Sequence, residues 1–151
     1  MTQPELAFSI ATEAHKGQKR KLGADKGMPY IVHPVRVSEH FKGDDVLEAA
    51  ALLHDVIEDT KFDAAVLISM GVKAEIVNLV IELTRHKGEN YLDYILRIRA
   101  NRRATRIKLA DLADNMMSLE EGNMLDKYRM AKYILLNMNG DNDAESSDSK
   151  G

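Results

Sequence analysis

Apolar residues recur at three- and four-residue intervals along almost the whole chain, and the strict alternation of a half-buried strand is nearly absent. This spacing predicts an all-α fold. Leu6, Ile10, Ala11 and Ala14 define a first helix over about 4–16, with a proline in its opening turn, where the missing N–H costs nothing. A polar, glycine-bearing loop follows from Gly17 to Met28, and the run PYIVHP then leads into a helix ending near Phe41. Asp44 and Asp45 are placed to cap the next helix, whose stretch 46–57 is apolar enough to be the central buried one. Shorter helices are expected at 63–69, 73–84 and 91–99, then a second buried helix at 104–119 and a last one at 126–137. Residues 139–151, NGDNDAESSDSKG, are polar and acidic, so a disordered tail is expected after one domain spanning 1–138.

Composition agrees with that outline. The chain has 151 residues, 44% apolar and 30% charged, which fits a single domain. At this length roughly two-thirds of the unfolded surface is buried, enough for a core without a disulfide or structural metal. Any metal site is therefore expected to be functional. There is no cysteine, which excludes disulfide scaffolds, thiolate zinc sites and cysteine nucleophiles. No apolar run approaches the roughly 20 residues of a membrane span, and the N-terminus lacks a basic segment followed by an apolar one. A cytoplasmic protein without membrane contact is the expectation.

The formal charge of −3 is carried in full by residues 139–151, where Asp141, Asp143, Glu145 and Asp148 outnumber Lys150. Within the neutral body two stretches are basic. One holds Lys16, Lys19, Arg20, Lys21 and Lys26 against Asp25 alone, and the other has six basic residues and no acid between Arg97 and Lys108. Both are candidates for holding an anion, with a solvated helix face as the competing account of the second.

The candidate chemistry centres on HDVIEDT, residues 54–60. On a continuous helix i and i+4 share a face, so His54 is expected to stack with Glu58 and Asp55 with Asp59. Ionisable groups crowded at the end of a core helix are costly unless paired or metal-bound, and imidazole beside carboxylate suits a divalent ion. His33 lies between Pro29 and Pro34, which restrict the backbone on both sides and fix the direction of the imidazole. Asp111 stands in IKLADLADNM, a mainly apolar helical stretch where an unpartnered aspartate is out of place, and Asn115 is its i+4 neighbour. A salt bridge for Asp111 and a backbone hydrogen bond for His33 explain each residue alone. One metal site explains them together.

Taken in order, HKGQKRK, PYIVHP, HDVIEDT, the pair Leu83-Thr84 and IKLADLADNM resemble the HD-domain hydrolases of the RelA/SpoT type. The resemblance, from about Leu6 to Tyr133, is strongest to small stand-alone alarmone hydrolases, which remove the 3′-pyrophosphate from guanosine tetra- and pentaphosphate. It implies one HD-domain helical bundle without an attached synthetase region. It also implies one divalent metal, usually Mn²⁺, held by His33, His54, Asp55 and Asp111. Glu58 and Asp59 match the acidic pair that positions or activates the attacking water. Arg20 and Lys21 match the basic pair of the loop near the nucleotide, and Asn115 the asparagine one turn beyond the last ligand. Arg129 and Tyr133 resemble an arginine and a tyrosine on the last helix that contact substrate. His15 falls on a family histidine and is expected to be structural. Two departures stand out: LGADKGM, between Lys21 and Pro29, is longer than the family's usual few residues, and Leu112 and Ala113 replace larger or charged side chains.

Such a site implies hydrolysis to GDP or GTP and pyrophosphate. Glu58 and Asp59 would divide the proton transfers, while Arg20, Lys21 and Lys108 counter developing negative charge. A second expectation keeps the chemistry but changes the substrate to another nucleotide, such as the 2′-phosphate of NADPH. A third is a non-catalytic nucleotide- or RNA-binding regulator that uses residues 97–108. With three Phe, five Tyr and no Trp to stack bases, nucleic acid is not the expected partner.

Overall fold

Short polar residues start most of the helices. In the computed structural model the backbone is described for residues 1–150 and side chains for residues 1–137, so the side chains of the tail at 139–151, where disorder is expected, lie outside the described ones. Helix α1 (Gln3–Ala14) opens with a reciprocal cap in which the Thr2 hydroxyl accepts from the Glu5 amide and the Glu5 carboxylate accepts from the Thr2 amide. Asp44 caps α3 (Asp45–Leu53), Asp63 caps α5 (Ala64–Ser69), Asn90 caps α7 (Tyr91–Arg99) and Asn101 caps α8 (Arg102–Met117). The Asn101 cap starts α8 two residues before the expected position. The remaining helices are α2 (Val32–Glu39), α4 (Val56–Asp59), α6 (Ala74–Leu83) and α9 (Asn123–Lys150). Among the described residues strand pairing is limited to one isolated bridge, Lys19 to Pro29, so the all-α expectation holds.

The core is built around α3. Ala49, Ala50, Ala51 and Leu53 are fully buried, and α3 packs against α1, α2, α6 and α8. Three consecutive alanines let neighbouring helices approach on several sides, while Ile10, Val37, Ile76 and Leu112 fill the space between them. Among the described residues no helix is long and apolar enough to cross a membrane.

The expected continuous helix over 46–57 is interrupted. Helix α3 ends at Leu53 and α4 begins at Val56, with His54 and Asp55 at the junction. The cause is local: His54 Nδ1 lies 2.6 Å from the Ala51 carbonyl, and the His54 amide points to that same oxygen, which tightens the last turn. Successive side chains on an unbroken helix diverge by about 100°. The break lets His54 and Asp55 face one centre instead. The i, i+4 relation survives for Asp55 and Asp59, whose backbones close a turn of 2.9 Å, but not as a His54–Glu58 stack.

Between α1 and α2 the chain forms a short ribbon. Arg20 and Tyr30 donate their amides to Met28 and Gln18 across it, at 2.8 and 2.9 Å. At its tip a single 3₁₀ turn, Gly23–Asp25, is pinned to the end of α8 by the Ala24 amide, 2.8 Å from the Ser118 carbonyl. Gly23 is required there: its φ is +70°, and a Cβ would fall 1.8 Å from the Ser118 oxygen.

Candidate metal centre and nucleotide cleft

Helices α2, α3 and α8 and the α3–α4 junction bring His33, His54, Asp111 and Asp55 to one point. His33 Nε2 is 2.8 Å and His54 Nε2 3.2 Å from the same oxygen, Oδ1 of Asp111. Asp55 Oδ2 lies 3.1 Å from His54 Nε2 and 3.8 Å from His33 Nε2. Both imidazoles and Asp111 are buried.

The far sides of the rings decide what this cluster can hold. His54 Nδ1 donates to the Ala51 carbonyl, which can only accept. His33 Nδ1 donates to Asp114 Oδ2 at 2.7 Å. With Nδ1 protonated in each neutral ring, both Nε2 lone pairs point at a carboxylate oxygen, an arrangement that repels unless a proton or a cation lies between. Without an ion the rings take up the proton: burial alone would lower both, but the hydrogen bonds and charges of Asp111, Asp114 and Asp55 outweigh it and raise both above the usual value. Separations of 2.8 to 3.8 Å suit ligands of one divalent ion, whose bonds of ~2.1 Å put neighbouring ligand atoms ~3 Å apart. The donor set therefore fits a divalent cation. Lys108, expected to face developing charge, is instead turned inward and partly buried, with Nζ 2.7 Å from Asp111 Oδ2, and Tyr30 donates to Asp55 Oδ2 at 2.5 Å.

The acidic pair stands at the rim. Asp55, Glu58 and Asp59 bring one oxygen each within 4.8 Å of one another, and Asp55 Oδ2, 3.1 Å from His54 Nε2, links this group to the buried His33, His54 and Asp111. Burial, with the charges of Asp55 and Glu58, pushes the Asp59 carboxyl up to about 6, although the residue reaches solvent. Glu58 is held differently: its Oε1 accepts from the Arg85 amide at 2.9 Å, which gives the Leu83-Thr84 motif a geometric role, because the residue that follows it anchors this carboxylate.

A cleft of about 930 Å³ opens beside the rim, with Arg20, Lys21, Tyr30, Asp59, Asn115 and Tyr128 among its walls. Arg20 donates to Asn115 Oδ1 at 3.1 Å and lies over the Tyr30 ring at 5.7 Å, while its buried Nε has no hydrogen-bond partner. Asn115 also donates to Asp111 Oδ1 at 3.2 Å, so it ties the basic loop to the metal wall. His15 is buried as a structural residue should be, with its ring 4.8 Å from Tyr30 and Nδ1 2.8 Å from Gln18 Oε1.

Two expected substrate contacts are not brought to this cleft. Arg129 is ion-paired with Glu121 at 2.8 Å and lies near Asp126, and Tyr133 is 65% exposed. Their i, i+4 spacing does put them on one side of α9, but that side faces solvent. Tyr128, one position before Arg129, turns inward and lines the cleft. Sequence reasoning also missed Tyr30 and Asp114, the side chains that hold Asp55 and His33. The available signal for Asp114 was its place three residues after Asp111, one turn along the same buried helix face.

Fold and centre together define an all-helical protein whose buried imidazole–carboxylate cluster opens into a basic cleft. Residues 7–135 match the HD domain, and the chain belongs to that family. It is 34% identical to a guanosine-3′,5′-bis(diphosphate) 3′-pyrophosphohydrolase of Vibrio cholerae, over 89% of this chain and 21% of the relative. It is 39% identical to the bifunctional (p)ppGpp synthase/hydrolase SpoT of Escherichia coli K12, over 85% and 20%. The chain thus spans about a fifth of the length of these curated relatives. Among solved structures, a metazoan ortholog of SpoT that hydrolyzes ppGpp matches with a TM-score of 0.70 at 24% identity, covering 91% of this chain and 86% of the other. That likeness is one of fold.

Proposed function

We propose that this chain is a metal-dependent phosphohydrolase that converts guanosine tetra- and pentaphosphate to GDP or GTP and pyrophosphate. The observation that carries the proposal is the convergence of His33, His54, Asp55 and Asp111 beside a paired Glu58 and Asp59 at the mouth of a basic cleft. The names of the bacterial relatives support the substrate.

A bound divalent ion, Mn²⁺ in this proposal, supplies Lewis acidity at the scissile phosphate and an acidified water near neutral pH. His33, His54, Asp55 and Asp111 would hold it. Glu58, fixed by the Arg85 amide, accepts a proton from the attacking water. As the water oxygen bonds to phosphorus, the bond from phosphorus to ribose O3′ breaks. Asp59, with its carboxyl at about 6, returns a proton to O3′. Arg20 and Lys21 bear on the anionic nucleotide, and Asn115 keeps Arg20 in register with the metal wall.

Incubation of the protein with Mn²⁺ and guanosine tetraphosphate should release pyrophosphate, and no release with the ion confirmed bound sinks the reading. Glu58→Gln should retain the ion and lose turnover by about 10²–10⁴-fold. Normal turnover in that variant would leave Asp59 alone with the proton transfers. A panel that includes the 2′-phosphate of NADPH, compared by kcat/KM, tests the choice of nucleotide, because the folded loop 22–28 shapes one wall of the cleft.

A further inference from the structure

Asp25 is the one buried residue in an otherwise exposed stretch, 21–29, of the long loop. A buried carboxylate needs partners, and this one is gripped by Arg36 of α2, with Nη1 at 2.6 Å and Nη2 at 3.3 Å. The same Nη1 reaches Asp114 Oδ1 at 3.5 Å. Arg20 adds a second positive charge, 3.7 Å from Asp114 and 3.9 Å from Asp25. Asp114 in turn accepts from His33 Nδ1, and His33 Nε2 faces the metal position. Acceptors and donors alternate along this row: Asp25, Arg36, Asp114, His33.

We propose that Asp25 is a positioning residue for the metal centre, acting through Arg36 to hold Asp114 against His33, so that the loop carrying Arg20 and Lys21 sets the affinity for the ion. Asp25 and Asp114 share one guanidinium. With Asp25 neutral, Arg36, which otherwise only reaches Asp114 Oδ1, turns fully to that carboxylate and competes for Oδ2, the oxygen that His33 uses, which loosens the ring and weakens its Nε2 as a donor. The pinned tip, Gly23 and Ala24 against Ser118, keeps Asp25 at the right depth for this contact. The extra loop length thereby acquires a task apart from nucleotide contact.

The inference rests on the metal reading above, and its test is Mn²⁺ affinity, followed by the electron paramagnetic signal of the free ion, rather than turnover. Asp114→Asn, which touches the ligand, should weaken Mn²⁺ by about 10–100-fold. Asp25→Asn should weaken it by roughly 3–10-fold, a fraction of that range because it acts at one remove. The double variant should bind no more weakly than Asp114→Asn alone, since both act through one row. Lys42→Ala, which removes an exposed lysine from its pair with the buried Glu48, should bind as the unaltered protein does. Affinity in Asp25→Asn within twofold of the unaltered protein, or effects that multiply in the double variant, overturns the proposal. Arg36→Gln removes the shared cation and carries the same test, with the same double-variant criterion, should Asp25→Asn not fold. No Mn²⁺ binding by the unaltered protein would instead fail the metal reading itself.

Discussion

Residues 15–26 hold five basic side chains against one acid and residues 97–108 hold six against none, so a local charge profile makes both candidates for holding an anion. The fold uses them oppositely. Lys19, Arg20, Lys21 and Lys26 line the cleft, and among the described residues none of the three lysines has an ion-pair partner. In the second stretch the cations are spent internally. Arg97 is held by Glu89 and Glu82, Arg103 by Glu75, Lys108 by Asp111, Arg106 lies over the Phe41 ring, and neither Arg99 nor Arg102 is free. The acids that absorb Arg97 and Arg103 stand 8 and 28 residues earlier in the chain, where a local count of charge cannot see them. An RNA-binding role for residues 97–108 loses its main support for that reason. A basic run says where positive charge is made, and the fold decides whether any is left over.

The comparison is sharpened most by Arg20→Ala. Its guanidinium is mostly buried, lies over Tyr30, donates to Asn115 and sits 3.9 Å from Asp25 and 3.7 Å from Asp114, while the residue lines the cleft. A hydrogen bond to a charged group is worth about 1.5–3 kcal/mol, so KM for the guanosine substrate should rise roughly 10–100-fold with kcat changed less. Steady-state kinetics at fixed Mn²⁺ checks this, and an unchanged KM would mean that the first stretch is no more a binding surface than the second.

The same contrast marks what could be read from the sequence. The helices were legible because apolar spacing and capping residues are local. The clustering of the four candidate ligands and the two acids was legible because polar side chains interrupt apolar runs, where one shared site accounts for them together. The break at His54 was not legible, because HDVIEDT is compatible with a continuous helix and the interruption comes from one ring capturing the Ala51 carbonyl. Asp114 and Tyr30 were hidden because their value lies in what they touch across the fold, 81 and 25 residues away. Arg129 and Tyr133 are not brought to the cleft because i, i+4 spacing fixes a common face but not the direction that face looks.

Arg97→Met should have the next largest effect, on stability and catalysis at once. Arg97 donates to the Glu82 and Thr84 carbonyls at 2.6 and 2.9 Å and to both Glu89 oxygens at 3.0 Å. It thus clamps the loop whose Arg85 amide holds Glu58. Loss of the clamp should lower Tm by roughly 3–6 °C and kcat more than KM. The Arg97 hydrogen bond, helped by the His86 amide, holds the Glu89 carboxyl down at about 2 against an unfolded value of 4.5. A depressed acid stabilises the fold above its unfolded value and loses that contribution as it protonates. The Tm gap between the two proteins should therefore be constant above pH 4.5 and close as pH falls toward 2. A gap independent of pH would assign the effect to packing of the arginine stem.

Arg106→Ala should cost less, about 0.5–1 kcal/mol in urea unfolding, for the loss of a guanidinium 5.6 Å from the Phe41 ring centroid. Nucleotide KM should not move, because Arg106 is not among the residues that line the cleft.

Arg103→Ala gives the smallest effect and the sharpest discrimination. Its pair with Glu75 is short, 2.9 Å, but both side chains are about half exposed, at 43% and 58%. Water and salt screen such a pair, so its loss should change stability by less than about 0.5 kcal/mol and by less still at high ionic strength. Pyrophosphate release should be unaffected. If residues 97–108 were instead a nucleic-acid surface, an Arg102→Ala, Arg103→Ala double variant would abolish a salt-dependent association with RNA that Asp55→Ala leaves intact. A titration of single-stranded RNA into the unaltered protein at two salt concentrations should show no such association. A salt-sensitive signal lost in the double variant would mean that the pairing with Glu75 is a resting state of a binding surface, and the contrast between the two basic stretches would collapse.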